Sequence, residues 1–310
     1  MDMTLPKPAR ARPRSRGISH ILRNPQLRAP YLFIAPAFLI VMVFQFLPAI
    51  AGVLLSFTRF SGVQMPEWRG LQNYERMLND NLFWNGVGVT LYYVVGTVIP
   101  STLLALAMAM ALNTRWLWIK GVIRSVYFLP SVISLVTIAL VWQWMLNPSI
   151  GLANELLALV GLPKQQFLAD PNQAMPIMIL VGIWRSVGFN MVIYLAGLQG
   201  IDRSYYEAAL VDGANQWRLF RHITWPLLWP TTFFIVAINV IAGFQLFDLV
   251  QVMTDGGPVH ATRVLVLYLY DRAFGDLLFG YGSAMAVALF LLMLGFTLFQ
   301  FRFFQRDIEY

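Results

Sequence analysis

Val87–Leu112 reads VGVTLYYVVGTVIPSTLLALAMAMAL, 26 residues without one charged side chain. As an α-helix it would be roughly 39 Å long at 1.5 Å per residue. The hydrocarbon core of a bilayer is about 30 Å thick. A surface helix of a soluble protein keeps a polar face, and this stretch has none. It therefore reads as a membrane span. Five further stretches have the same character: Tyr31–Phe57, Gly121–Leu146, Met175–Leu198, Leu227–Val250 and Tyr281–Phe303. Inside all six limits only Arg124, Arg185, Asp248 and Arg302 are charged. All but Arg185 sit near an end, where a long side chain snorkels or meets water. The expected fold class is an all-α, polytopic membrane protein with six transmembrane helices.

The composition agrees with the single stretch. Of 310 residues, 58% are apolar and 12% charged, against about 45–50% and about 25% in a soluble domain. Disorder, a coiled coil and an ordinary cytosolic enzyme are excluded. With no cysteine, disulfides, thiolate metal sites and Cys nucleophiles are excluded too. The three histidines, His20, His222 and His260, are far apart in sequence, which argues against a metal site.

The +7 net charge is sorted by side. Lys7, Arg10, Arg12, Arg14, Arg16, Arg23 and Arg28 precede the first span. Arg115, Lys120 and Arg124 follow the second, Arg203, Arg218 and Arg221 follow the fourth, and Arg302 and Arg306 close the chain. Against these fifteen stand six on the other side: Arg59, Arg69, Arg76, Lys164, Arg263 and Arg272. The positive-inside rule then places both termini in the cytoplasm, which an even number of spans also requires. The basic tail reads as an orientation signal touching anionic lipid rather than a nucleic-acid arm. The first apolar stretch is too long for the h-region of a signal peptide, so it reads as an uncleaved span. The expected division is a tail over 1–30, a six-span domain over 31–303 and a second tail over 304–310. The outer connections Thr58–Gly86, Asn147–Ala174 and Gln251–Gly280 are long enough for short interfacial helices.

The fourth connection, 199–226, lies on the cytoplasmic side. It reads SYYEAALVDGANQWRLFRHITWP from Ser204 to Pro226. Ser204 and Glu207 have the spacing of a capping box. Tyr205 to Asp212 is long enough for two helical turns. Gly213 supplies a residue free to take positive φ at their C-terminus. Gln216 to His222 makes a second short helix carrying Trp217 and Phe220. The expected product is a small helix-turn-helix along the inner membrane surface.

Glu207-Ala208-Ala209, three residues, Gly213, nine residues, then Ile223-Thr224-Trp225-Pro226 resembles the EAA loop of ABC-importer permeases, with Trp225 where the family usually has Leu. The resemblance runs through Arg124–Pro130, Trp142, Gly151–Asn154, Trp184-Arg185 with Gly188-Phe189-Asn190, Phe247-Asp248, Thr254–Pro258, Thr262 and Gly280–Ala284. Together these are similar to the six-span permease of the carbohydrate-uptake importers, which take sugars and glycerol-3-phosphate-type solutes. The resemblance implies the ABC-importer permease fold with a cytoplasmic EAA coupling helix, in a bacterial or archaeal plasma (inner) membrane. It implies four partners: a second, different permease subunit, an ATPase subunit dimer, an extracytoplasmic solute-binding protein and a sugar-like solute. In such a system ATP binding closes the ATPases and drags the permease loops together. The implied coupling residues are Glu207, Ala208, Ala209, Asp212, Gly213, Trp217 and Phe220. Glu207 has two readings, a polar contact to the ATPase and a cap on its own helix.

Polar and aromatic groups mark a candidate solute pathway: Arg185, Asn190, Tyr194, Asn239, Phe244, Gln245 and Asp248, the last near the outer end of its span and read rather as an outer-gate or binding-protein contact. Arg185 reads either as a structural anchor or as a cavity residue. Asn190 is 140° around the helix from it, while Tyr194 shares the face of Asn190. The same groups also serve as helix-bridging polar contacts and interface fillers. Phosphate-binding loops of the Gly-x-x-x-x-Gly-Lys-Ser/Thr type are absent from the sequence. The chain is thus expected to hold no cofactor, with ATP and Mg on the partner ATPase. An ion-coupled secondary transporter would need an intramembrane carboxylate relay, and only Asp248 is available. A membrane-embedded enzyme would need paired carboxylates or a His motif, and the spans carry neither.

Overall fold

A computed structural model describes residues 25–113 and 119–304. The basic tail through residue 24, Arg115 and Arg306 lie outside the described residues. The chain divides into two compact units, ending and beginning at Gly52 and Val53.

Among the described residues, four helices are long and apolar enough to cross a bilayer by themselves: Tyr31–Leu55, Asn81–Asn113, Pro171–Gln199 and Phe279–Arg302. Two bent helix pairs bring the number to six if each pair is one span. The first of the four combines α1 (Pro25–Val41), one wide turn (Met42–Phe46) and α2 (Leu47–Leu55). The wide turn has a local cause. Pro48 has no N–H to return to the Phe44 carbonyl, and Leu47 N–H reaches back five residues to Met42.

In the second unit, β1 (Thr58–Arg59) and β2 (Glu67–Trp68) form a short antiparallel hairpin, with Arg59 opposite Glu67. α3 (Gln72–Leu78) follows. α4 (Asn81–Asn113) contains the Val87–Leu112 stretch and is capped by Asp80, whose Oδ1 accepts the N–H groups of Leu82 and Phe83. α8 (Pro171–Gln199) runs parallel to α4. Tyr93 packs with Met178 and Ile179, and Ala105 to Leu112 pack with Met191 to Leu198. Small residues permit the approach: Gly96 faces Ile179, and Gly182 faces Tyr93 and Thr97. The parallel run puts the Asp80 end of α4 and the Gln199 end of α8 at opposite ends of the bundle.

The expected span Gly121–Leu146 is not one helix. α5 (Lys120–Val132) and α6 (Leu135–Met145) meet at 97°. Ile133 and Ser134 are extended between them, and Pro130 deprives Val126 of its helical donor three residues earlier. α5 docks on α8 where Gly188 meets Tyr127; any Cβ there would strike the Tyr127 carbonyl. Leu227–Val250 is also divided. α11 (Trp225–Leu227) and the helix before it turn by 61° into α12 (Trp229–Phe244) at Leu228. Pro226 and Pro230 each lack the N–H that a regular helix would return to the carbonyl four residues back. A second break at Gln245–Phe247 precedes α13 (Asp248–Met253). α14 (Leu265–Tyr270) and α15 (Phe279–Phe304) complete the unit. Short helices do fill the outer connections: α3, α7 (Leu152–Leu159), α13 and α14.

Candidate coupling loop and membrane pocket

The 199–226 connection folds as two short helices, α9 (Arg203–Val211) and α10 (Gln216–Leu219). Its start corrects the capping-box expectation. Asp202, not Ser204, is the cap, and its carboxylate accepts the Ser204 N–H at 2.9 Å. That bond holds the exposed Asp202 carboxyl below its ordinary pKa. The capping position moves two residues toward the N-terminus because Asp is as good a cap as Ser and adds charge against the helix dipole. Glu207 is therefore left in the helix middle, exposed, with no hydrogen-bond partner among the described residues. Its reading as its own helix's cap is overturned.

Gly213 takes φ +76°. Ala214 N–H returns to the Ala209 carbonyl at 2.9 Å and Gly213 N–H to that of Leu210 at 3.1 Å, the paired bonds of a Schellman stop. Asn215 then caps α10 through the Arg218 N–H at 2.9 Å. Tyr206 and Thr224 hydroxyls meet at 2.9 Å and tie the two halves. The second helix is shorter than expected. After Leu219 the backbone widens through Phe220–Thr224 ahead of Pro226. Trp217 packs on Phe220 at 5.7 Å between ring centroids, and Phe220 on Trp225 at 6.2 Å.

Of the expected coupling residues, Glu207, Ala208, Asp212, Gly213 and Trp217 are exposed, while Ala209 and Phe220 are half-buried. Sequence reasoning missed three apolar neighbours on α9. Tyr205, Leu210 and Val211 are exposed, Val211 by 88%. Their signal was available: apolar side chains on a helix placed outside the bilayer are unusual unless something covers them.

The expected pathway residues separate into two groups. Arg185, Asn239, Gln245 and Asp248 line one cavity of about 250 Å³ between α4, α8, α12 and the start of α13. Arg185 forms no ion pair among the described residues, and its Nε is buried without a hydrogen-bond partner. Asn190, Tyr194 and Phe244 lie outside this cavity and are fully buried. Asn190 accepts from Asn239 Nδ2 at 3.0 Å, and Tyr194 donates to Thr232 at 3.1 Å, so both brace α8 against α12. Phe244 packs on Phe296 at 5.2 Å. Helix rotation explains the division, since the 140° between Arg185 and Asn190 sends them to different neighbours. Tyr93 and Thr97 of α4 also line the cavity and were not anticipated. They sit four residues apart on one helical face, which the apolar count of that stretch concealed. Asp248 is exposed and opens α13, rather than riding near the end of a continuous span.

The turn at Thr254–Pro258 is present. Gly256 takes φ +79°, and Thr262 bonds Thr254 at 2.7 Å and the Gly257 carbonyl at 2.6 Å.

A family model described as "Binding-protein-dependent transport system inner membrane component" matches residues 101–308. The chain belongs to this family. It is 34% identical to the sn-glycerol-3-phosphate transport system permease protein UgpA of Agrobacterium fabrum, over 91% of this chain and 96% of that one. It is 33% identical to the trehalose/maltose transport system permease protein MalF of Thermococcus litoralis, over 89% and 94%. Its fold matches a chain of a bacterial alginate ABC transporter solved in complex with an alginate pentasaccharide-bound periplasmic protein. That match has a TM-score of 0.79 and 23% identity, over 90% of this chain and 94% of that one. The chain is thus a multi-pass membrane permease subunit of an ABC importer and a non-catalytic transport component. The ion-coupled reading is not favoured.

Proposed function

We propose that the chain forms half of the translocation pathway of an importer for a sugar or sugar-like solute, glycerol phosphates included. It pairs with a second, different permease and couples to a separate ATPase dimer that holds ATP and Mg. An extracytoplasmic binding protein delivers the solute. Residues 31–303 form the membrane domain between two cytoplasmic tails, in a bacterial or archaeal plasma membrane.

The observation that carries this reading is the doubly capped loop with an exposed Glu207-Ala208 face. A lever must be rigid, and caps at Asp202, Gly213 and Asn215 fix both short helices. Small side chains let a partner approach closely, and Glu207 is free to meet a cation or backbone N–H there. The solute class draws on the relatives, whose names specify glycerol-3-phosphate and trehalose/maltose. The Arg185–Asn239–Gln245–Asp248 cavity offers hydrogen-bond donors and acceptors of the kind that hydroxylated solutes need.

Purification of the tagged chain from its own membrane tests the assembly. A second permease and two ATPase copies should co-purify, and the loaded binding protein should stimulate ATP hydrolysis. A transport-competent preparation containing this chain alone would sink the proposal.

A further inference from the structure

A cavity larger than the membrane pocket lies elsewhere in the second unit. It is a cleft of about 760 Å³ between the β1–β2 hairpin, α3 and the start of α15. It shares no lining residue with the pocket at Arg185, so it is not the mouth of that pocket. It sits at the Asp80 end of α4, the end opposite the α9–α10 loop.

Three arginines line the cleft: Arg59, Arg69 and Arg76. Two acids also line it, and both are already engaged. Glu67 pairs with Arg69 at 2.9 Å, and Asp276 pairs with Arg272. Arg76 lies over the Tyr281 ring at 4.4 Å, and no carboxylate is paired with it. The Arg59 side chain is exposed and has no ion pair or hydrogen bond among the described residues, although Glu67 stands opposite it in the hairpin. The cleft therefore holds two guanidinium groups outside any ion pair among the described residues. On its apolar margin Met65 is 89% exposed. Arginine and methionine are among the side chains enriched in protein interfaces. A small free solute would use few of these groups, whereas a protein protrusion uses all of them.

We propose that this cleft receives an acidic protrusion of the solute-binding protein, with Arg59 and Arg76 taking its carboxylates. Charge complementarity of this kind fixes register and speeds encounter. The inference rests on the importer reading and adds to it a docking position and its chemistry.

The test uses the whole importer, both permeases with the ATPase dimer, in nanodiscs, titrated with its loaded binding protein. Arg59→Glu should raise the half-stimulating concentration of binding protein roughly tenfold, and Arg59→Gln less. Basal ATP hydrolysis should not change, because the cleft is remote from the coupling loop. A compensating acid-to-arginine change on the binding protein should restore stimulation of the Arg59→Glu importer. Stimulation of the Arg59→Glu variant at wild-type concentrations overturns the inference alone. Absence of stimulation in the wild type overturns the importer reading together with it. An effect of Arg59→Glu that appears only in nanodiscs of anionic lipid overturns the inference in favour of a lipid site.

Discussion

Asp80 stands one residue ahead of α4 and gathers four donors. Leu82 and Phe83 give backbone N–H groups to one oxygen, and Tyr268 and Tyr281 give hydroxyls to the other. Burial pushes its carboxyl up, but those four hydrogen bonds outweigh burial and hold the pKa below the ordinary value. A carboxylate with a depressed pKa stabilises the fold at every pH above its unfolded value, and that stabilisation is lost as pH falls through the folded value. Asp80→Ala should cost about 1–3 kcal/mol at neutral pH, since two tyrosine hydroxyls and two N–H groups lose a shared acceptor. Thermal unfolding in detergent measures it. The gap between wild type and variant should stay constant from neutral pH down to about pH 4 and narrow below that. A gap that stays constant through the acid range would refute the charge-assisted account. Nothing in the sequence flagged this residue. Its two phenols lie 188 and 201 residues away.

At the scale of the element, what was legible was composition and local turn chemistry. Gly213 was readable because few residues other than glycine accept positive φ after a helix, and the Schellman bonds form there. The breaks at Ile133-Ser134 and Leu228 were not anticipated, although Pro130, Pro226 and Pro230 were in view. An apolar count measures transfer into lipid and is blind to a missing N–H. Ser204 lost the cap to Asp202 for a local reason, since the two cap equally well and the aspartate adds charge against the helix dipole. The lever depends on the joint between α9 and α10. Proline at 213 cannot adopt φ +76° and would remove the N–H bonded to Leu210. Gly213→Pro should lower solute uptake per ATP hydrolysed at least about tenfold in the reconstituted importer. Gly213→Asn should retain most coupling, because Asn tolerates the left-handed region. Coupled uptake at the wild-type level by the proline variant would show that the joint is not a lever.

At the scale of the molecule, the parallel packing of α4 and α8 turns a charge count into a testable orientation. The hairpin lies at the start of α4 and the coupling loop at the end of α8, so a bilayer crossing the bundle must separate them. On the proposed orientation, which rests on the arginine census, the loop with Arg203, Arg218 and Arg221 lies in the cytoplasm and the hairpin outside. The chain has no cysteine, so a single introduced thiol reports its own side without background. Gln64 and Ser204 are both exposed, one on the hairpin and one at the start of α9. With a membrane-impermeant maleimide, Gln64→Cys should label in intact cells or in spheroplasts where an outer membrane intervenes. Ser204→Cys should label only after the membrane is opened. The reverse pattern would invert the molecule, moving the arginine cleft to the cytoplasm and removing the binding protein as its occupant. Labelling of both from outside would mean that the membrane does not cross between them, and the lever could not then reach a cytoplasmic ATPase.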